Sequence, residues 1–148
     1  MRAGQNGLLT EMREAPEAVR RQAPLLTGPL ADLVKRCRRV PPRVVVTCAR
    51  GSSAHAATFG KHLIERHLGI PVAAAAPNIA SVYHQTLRLK DQLLLTISQS
   101  GRSDDLIEFT AMARDAGALT VSIVNEPSSP LAAVSGICLL YTSDAADE

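Results

Sequence analysis

The stretch Leu93-Leu94-Leu95-Thr96-Ile97-Ser98-Gln99-Ser100-Gly101-Arg102-Ser103-Asp104 decides how the chain folds. An apolar run ends in small hydroxyl residues around one glycine, and a helical pattern, Asp104 to Ala116, follows at once. A strand that turns this tightly into a helix brings backbone N–H groups and the positive end of the helix dipole to its carboxyl end. Three serine hydroxyls add donors suited to phosphate oxygens. Gly101 lets the backbone turn and come close to a ligand. The chain repeats the device earlier. Val44-Val45-Val46-Thr47-Cys48 runs into Ala49-Arg50-Gly51-Ser52-Ser53, then into a helix from Ala54. In one parallel sheet the two turns face the same edge, which points to a site for a phosphorylated small molecule.

Outward from these turns, strand and helix alternate. Strands are expected at 43–48, 71–76, 93–98, 118–124 and 137–141. Helices are expected at 54–68, ended by Gly69, and at 104–116, ended by Gly117. Shorter helical pieces are expected at 78–83 and 128–134. Such alternation gives an α/β fold: a three-layer αβα sandwich on a mainly parallel, five-stranded sheet. Ahead of it, Leu8 to Gln22 is helical, with Pro16 expected to kink or split it. A second helix is expected from Pro29 to Arg39, with Thr27 as its cap and Pro41-Pro42 as its stop. The organisation is therefore an N-terminal helical segment, 1–40, and a sandwich domain, 41–141. The polar, acidic tail 142–148 adds no further unit and is expected to be foreign or disordered.

The 148 residues suffice for one domain with a real core. With no Trp, two Phe and two Tyr, that core is aliphatic, which argues against a protein that stacks nucleic-acid bases on aromatics. A net charge of +2 implies no polyanionic partner. The basic cluster Lys35-Arg36-Cys37-Arg38-Arg39 reads as a solvated helix end, where cations suit the dipole. No run reaches the roughly 18 apolar residues of a membrane span, and no signal peptide is evident. Cys37, Cys48 and Cys138 show no metal or redox spacing and read as buried free thiols in a reducing cytoplasm. No metal and no cofactor are expected.

The bland reading of Ser98–Ser103 is a capped turn, but five polar residues around one glycine exceed what a cap needs. Gln99 offers an amide to a phosphate oxygen or a sugar hydroxyl. Arg102 either pairs with the ligand's charge or points to solvent. Gly51-Ser52-Ser53 alone reads as a cap and gains weight from the pairing of the two turns. Neither turn is a P-loop or a GxGxxG fingerprint, and no HExxH or GxSxG occurs. His55 lies in the first helical turn beside Ser52-Ser53, where it contacts substrate or serves the surface. Asp104 and Asp105 favour the dipole of the following helix. Glu108 is expected to be exposed, and no residue stands out as a general base.

At Ala49-Arg50-Gly51-Ser52-Ser53, at Ser98-Gln99-Ser100-Gly101-Arg102-Ser103-Asp104-Asp105-Leu106 and in the leader Leu9 to Ala18, the chain resembles the sugar isomerase (SIS) domain family. It is most similar to the isomerase part of glucosamine-6-phosphate synthases and to the related deaminases. The likeness runs from about Leu8 to Leu140. It implies that Ser53, Ser98, Gln99, Ser100 and Ser103 hold a substrate phosphate. Ser52 would lie near the sugar's reactive end, with Arg50, Gly51 and Gly101 adjacent. Arg50 stands where the synthases often have Cys; this, Arg102-Ser103 and Ser81-Val82-Tyr83 look more like the deaminase branch. The family's second SIS domain, with its catalytic Glu and ring-opening His, and the tail with its catalytic Lys have no counterpart here. The resemblance therefore implies the phosphosugar-binding first domain of a cytoplasmic, homo-oligomeric amino-sugar phosphate deaminase or isomerase. Its ligand would be glucosamine-6-phosphate or fructose-6-phosphate. A sugar-phosphate-sensing domain of a regulator is the alternative.

Overall fold

A computed structural model describes residues 3–141, the side chains of 3–12, 14 and 15 excepted. The elements run α1 (Ala3–Arg39), β1 (Val45–Ala49), α2 (Ser53–Leu68), β2 (Val72–Ala74), α3 (Asn78–Ser81), β3 (Leu93–Ser98), α4 (Asp104–Asp115), β4 (Leu119–Val124), α5 (Pro130–Val134) and β5 (Ile137–Leu140). All strand pairings are parallel, in the order β2-β1-β3-β4-β5. The chain goes from β1 outward to β2, returns past β1 to β3, and then proceeds to β4 and β5. The strand order thus reverses between β1 and β3, where α/β sheets open a crevice at their carboxyl ends. Register sets Val45 beside Leu93 and Ala49 beside Ile97, so the two strands end level.

Helices cover both faces, as expected. On one face α3 and α4 close the core: Val46, Cys48 and Leu94 meet Ala80, Leu106, Phe109 and Ala113. The buried hydroxyls of Thr96 and Thr110 satisfy each other at 2.9 Å, tying β3 to α4. On the other face lie α1 and α2. Leu26 and Leu33 of α1 pack against the cluster around Val121, Ile137 and Leu139. Between α1 and α2 this face opens into an apolar groove of about 740 Å³, floored by Leu93, Leu95, Val121 and Ile123. Val19, Leu25, Phe59 and Leu68 are exposed on these two helices.

The leading segment differs from its sequence reading. Residues 3–39 form one helix of 37 residues, with Pro16, Pro24 and Pro29 inside it. Pro16 does not split it, Pro29 does not begin a second helix, and Thr27 is not a cap. Thr27 Oγ1 instead donates to the carbonyl of Ala23 at 3.1 Å, one turn back. A proline removes one N–H and crowds one turn, a cost of about 3 kcal/mol that an amphipathic helix anchored on a sheet can absorb. The basic cluster ends this helix in solvent, with Arg36 on Asp32 at 2.9 Å. Gly69 caps α2, its N–H reaching the carbonyl of Glu65. The tail 142–148 lies outside the described residues. No helix among the described residues is long and apolar enough to cross a membrane.

Phe109 is fully buried at the centre of the α4 face, whereas Leu25 is half exposed on α1. Phe109→Ala is expected to cost about 3–5 kcal/mol, and Leu25→Ser to stay within about 0.5 kcal/mol. Urea unfolding of both variants checks the contrast.

Candidate functional site

The β1–α2 turn is short because Gly51 takes φ 54° and the chain then coils directly into the helix. The N–H groups of Ser53, Ala54 and His55 fold back onto the carbonyls of Arg50, Gly51 and Ser52 at 3.1 Å. This leaves the Ser52 and Ser53 hydroxyls without a partner among the described residues, and Ser52 makes no side-chain cap. The β3–α4 turn is organised differently. Ser98 is buried, and its Oγ accepts from the Gly101 N–H at 3.1 Å. Ser100 Oγ accepts from the Arg102 N–H at 3.3 Å. Ser103 begins α4 in extended conformation, and its hydroxyl makes no cap. Asp105 takes that role, accepting the Leu106 N–H at 3.0 Å.

Ser52, Ser53 and Gln99 come together on the wall of one cleft of about 410 Å³ at the reversal of strand order. Its remaining wall is apolar: Ala56 and Gly60 of α2, Leu95 and Ile97 of β3, Ile123 of β4, and Tyr141. Ser98, Ser100, Ser103, Gly51 and Gly101 shape the turns beside this cleft without lining it. His55 and Glu108 are exposed and also lie off the wall. Among the described residues, no histidine or carboxylate lines the cleft, and no His, Cys, Asp and Glu cluster fits a metal ion.

One charge near the site has an ion-pair partner within the chain. Arg50 reaches across from the first turn to Asp105 at 3.0 Å, pinning β1's turn to the start of α4. Glu126 is held below its usual pKa by the N–H and hydroxyl of Ser128, with the charge of Arg102 adding to this. The donors left facing the cleft are neutral hydroxyls and an amide. Cys48 sits buried one residue below the first turn, and its thiol is pushed up to about 12 from an ordinary 9.0. Burial is the main cause and the nearby charge of Asp105 the second. Cys48 is a packing residue, as expected, while Cys37 and Cys138 are free but only half buried.

Ala56 and Gly60 escaped the sequence reading, although they follow Ser52 and Ser53 at helical spacing and had a visible signal as a stripe of small residues. Tyr141 and Ile123 had none.

Residues 41–147 match the family model of the SIS domain. The chain belongs to the SIS domain family. Over 142 residues this SIS domain is 33% identical to the isomerizing glutamine–fructose-6-phosphate aminotransferase of Symbiobacterium thermophilum, covering 84% of the chain and 22% of that protein. Among solved structures, it matches a protein assigned as a phosphosugar isomerase from Silicibacter pomeroyi. That match has TM-score 0.86 and 41% identity over 88% of this chain and 40% of the other. The Vibrio vulnificus NanR protein, solved in complex with ManNAc-6P, shares the fold at TM-score 0.76 and 18% identity, over 95% of this chain and 53% of its own. The chain spans less than a quarter of the length of the curated aminotransferases it matches.

The raised Cys48 pKa has a consequence for stability. The folded chain keeps this proton at pH values where the unfolded chain has released it. The contribution is therefore whole below about pH 9 and is lost as pH rises toward 12. Urea unfolding from neutral to alkaline pH is expected to show a shallower alkaline decline for Cys48→Ala than for the parent chain.

Proposed function

We propose that this SIS domain binds a sugar phosphate, with glucosamine-6-phosphate or fructose-6-phosphate as the ligand. The observation that supports this most is the convergence of the Ser52 and Ser53 hydroxyls, unpartnered among the described residues, and the Gln99 amide on one cleft, beside the amino ends of α2 and α4. Hydroxyl and amide donors there solvate a dianion without a cation, aided by two helix dipoles. In this reading Ser53, Gln99, Ser100 and Ser103 donate to the phosphate, and Ser98 holds the turn from beneath. Ser52 faces the sugar's reactive end, with Arg50 close by. The apolar wall beyond the serines dries the cleft and strengthens those hydrogen bonds.

The domain anchors and orients its ligand, and a base supplied from outside residues 1–148 moves the proton between neighbouring sugar carbons. The whole protein would then be a homo-oligomeric, cytoplasmic amino-sugar phosphate isomerase or deaminase that needs no metal or cofactor. A second reading, a sensor that binds the sugar phosphate without turning it over, draws support from the lack of any histidine or carboxylate on the cleft wall among the described residues.

Calorimetric titration of the 148-residue chain with glucosamine-6-phosphate, fructose-6-phosphate and unphosphorylated glucosamine tests the reading. The phosphorylated sugars are expected to bind and glucosamine not to; equal affinity for all three would sink the phosphate assignment. Ser53→Ala and Ser100→Ala are each expected to cost about 1–3 kcal/mol of binding. The chain alone is expected to show neither isomerisation nor deamination of either sugar phosphate, as followed by product assay. Turnover that His55→Ala or Glu108→Gln abolishes would place a base within this chain after all.

A further inference from the structure

The loop between β4 and α5, together with the start of α5, touches the Ser98–Ser103 turn at three points. The Asn125 N–H donates to the carbonyl of Gln99 at 3.2 Å. The Leu131 N–H donates to the carbonyl of Gly101 at 3.1 Å. Between these two bonds, Ser129 is fully buried and presses its side chain against the α-carbon of Gly101. A methyl group at residue 101 would stand 2.6 Å from Ser129 Cβ and collide with its Oγ as well. Gly101 is thus fixed twice over, by φ 62° and by the lack of any space toward Ser129. The other turn gives the comparison: at Gly51, also at positive φ, a methyl group would meet nothing within 4 Å.

We propose that Ser129 is a positioning residue for the sugar-phosphate site: its Cβ is the wall that sets where Gln99 stands over the cleft and where Ser100 stands beside it. The inference rests on the binding reading given above. Ser129 reaches no ligand-facing donor itself and acts through the Gly101 backbone. Its hydroxyl has a separate task, accepting the Ala132 N–H at 3.3 Å as the cap of α5. Oγ alone carries the cap, whereas Cβ faces Gly101 together with it, so substitutions can separate the cap from the Cβ wall. Glycine is a fair helix cap and lacks the wall; alanine keeps the wall and loses the cap.

Ser129→Gly, Ser129→Ala and the parent chain are compared by glucosamine-6-phosphate titration, thermal melting and amide NMR spectra without ligand. Ser129→Gly is expected to keep its melting temperature closely, to weaken binding about tenfold, and to shift the Gln99 and Gly101 amide resonances. Ser129→Ala is expected to melt lower while binding within about twofold of the parent and leaving those resonances in place. A purely structural Ser129 would give affinity loss that follows the melting temperature in both variants, and that outcome overturns the proposal. So do unmoved Gln99 and Gly101 resonances in Ser129→Gly. Should the parent chain bind no sugar phosphate, the binding reading falls, and the ligand-free spectra still decide whether Ser129 sets the turn.

Discussion

The parallel pairing of β1 with β3 is the contact on which the rest of the molecule depends. It sets Ala49 beside Ile97, so that two strand-to-helix turns leave the sheet side by side. The strands on either side, β2 and β4, lie in opposite directions from this pair. Right-handed crossovers then send α2 and α4 to opposite faces, and the two turns part over a crevice. Everything proposed for the site follows from that one register. A slip of one residue would lift one turn above the other and exchange the faces of every β3 side chain.

Within this frame, the site handles charge economically. Arg50 is spent on Asp105, across the two turns, and Arg102 acts on Glu126. An exposed pair such as Arg50–Asp105 contributes little to stability. Its value is geometric, since it links the first turn to the helix that follows the second. The cleft is left with neutral donors and helix ends, which favour a compact dianion held in a fixed orientation over loosely attracted counter-charge.

Much of this was legible in the sequence because the informative patterns are local. β3 is expected at 93–98 and is found at Leu93–Ser98, since an aliphatic run bounded by the polar Asp91-Gln92 and a serine-rich turn leaves few alternatives. Gly69 ended α2 as expected. Ser52, Ser53 and Gln99 stand out in the sequence by their hydroxyl and amide groups where a strand turns into a helix, and they lie on the wall of one cleft. The helix ahead of the sheet departs from expectation because intrinsic preference alone favours breaks at Pro16 and Pro29, whereas Leu26 and Leu33, on either side of Pro29, pack on the sheet and favour a continuous helix there. Ser129 was invisible for a different reason. Its role depends on residue 101 having no side chain and on β4 lying next to β3, a relation set by topology and absent from local spacing.

In the proposed function, two turns separated by almost fifty residues in sequence act on one ligand. Amide chemical-shift mapping of the 148-residue chain during addition of glucosamine-6-phosphate tests it most directly. Resonances of Gly51 to Ala54 and of Gln99 to Asp105 are expected to move together, along a single saturation curve, and to stay still with glucosamine. Shifts confined to one turn, or centred on the α1–α2 groove, would contradict it.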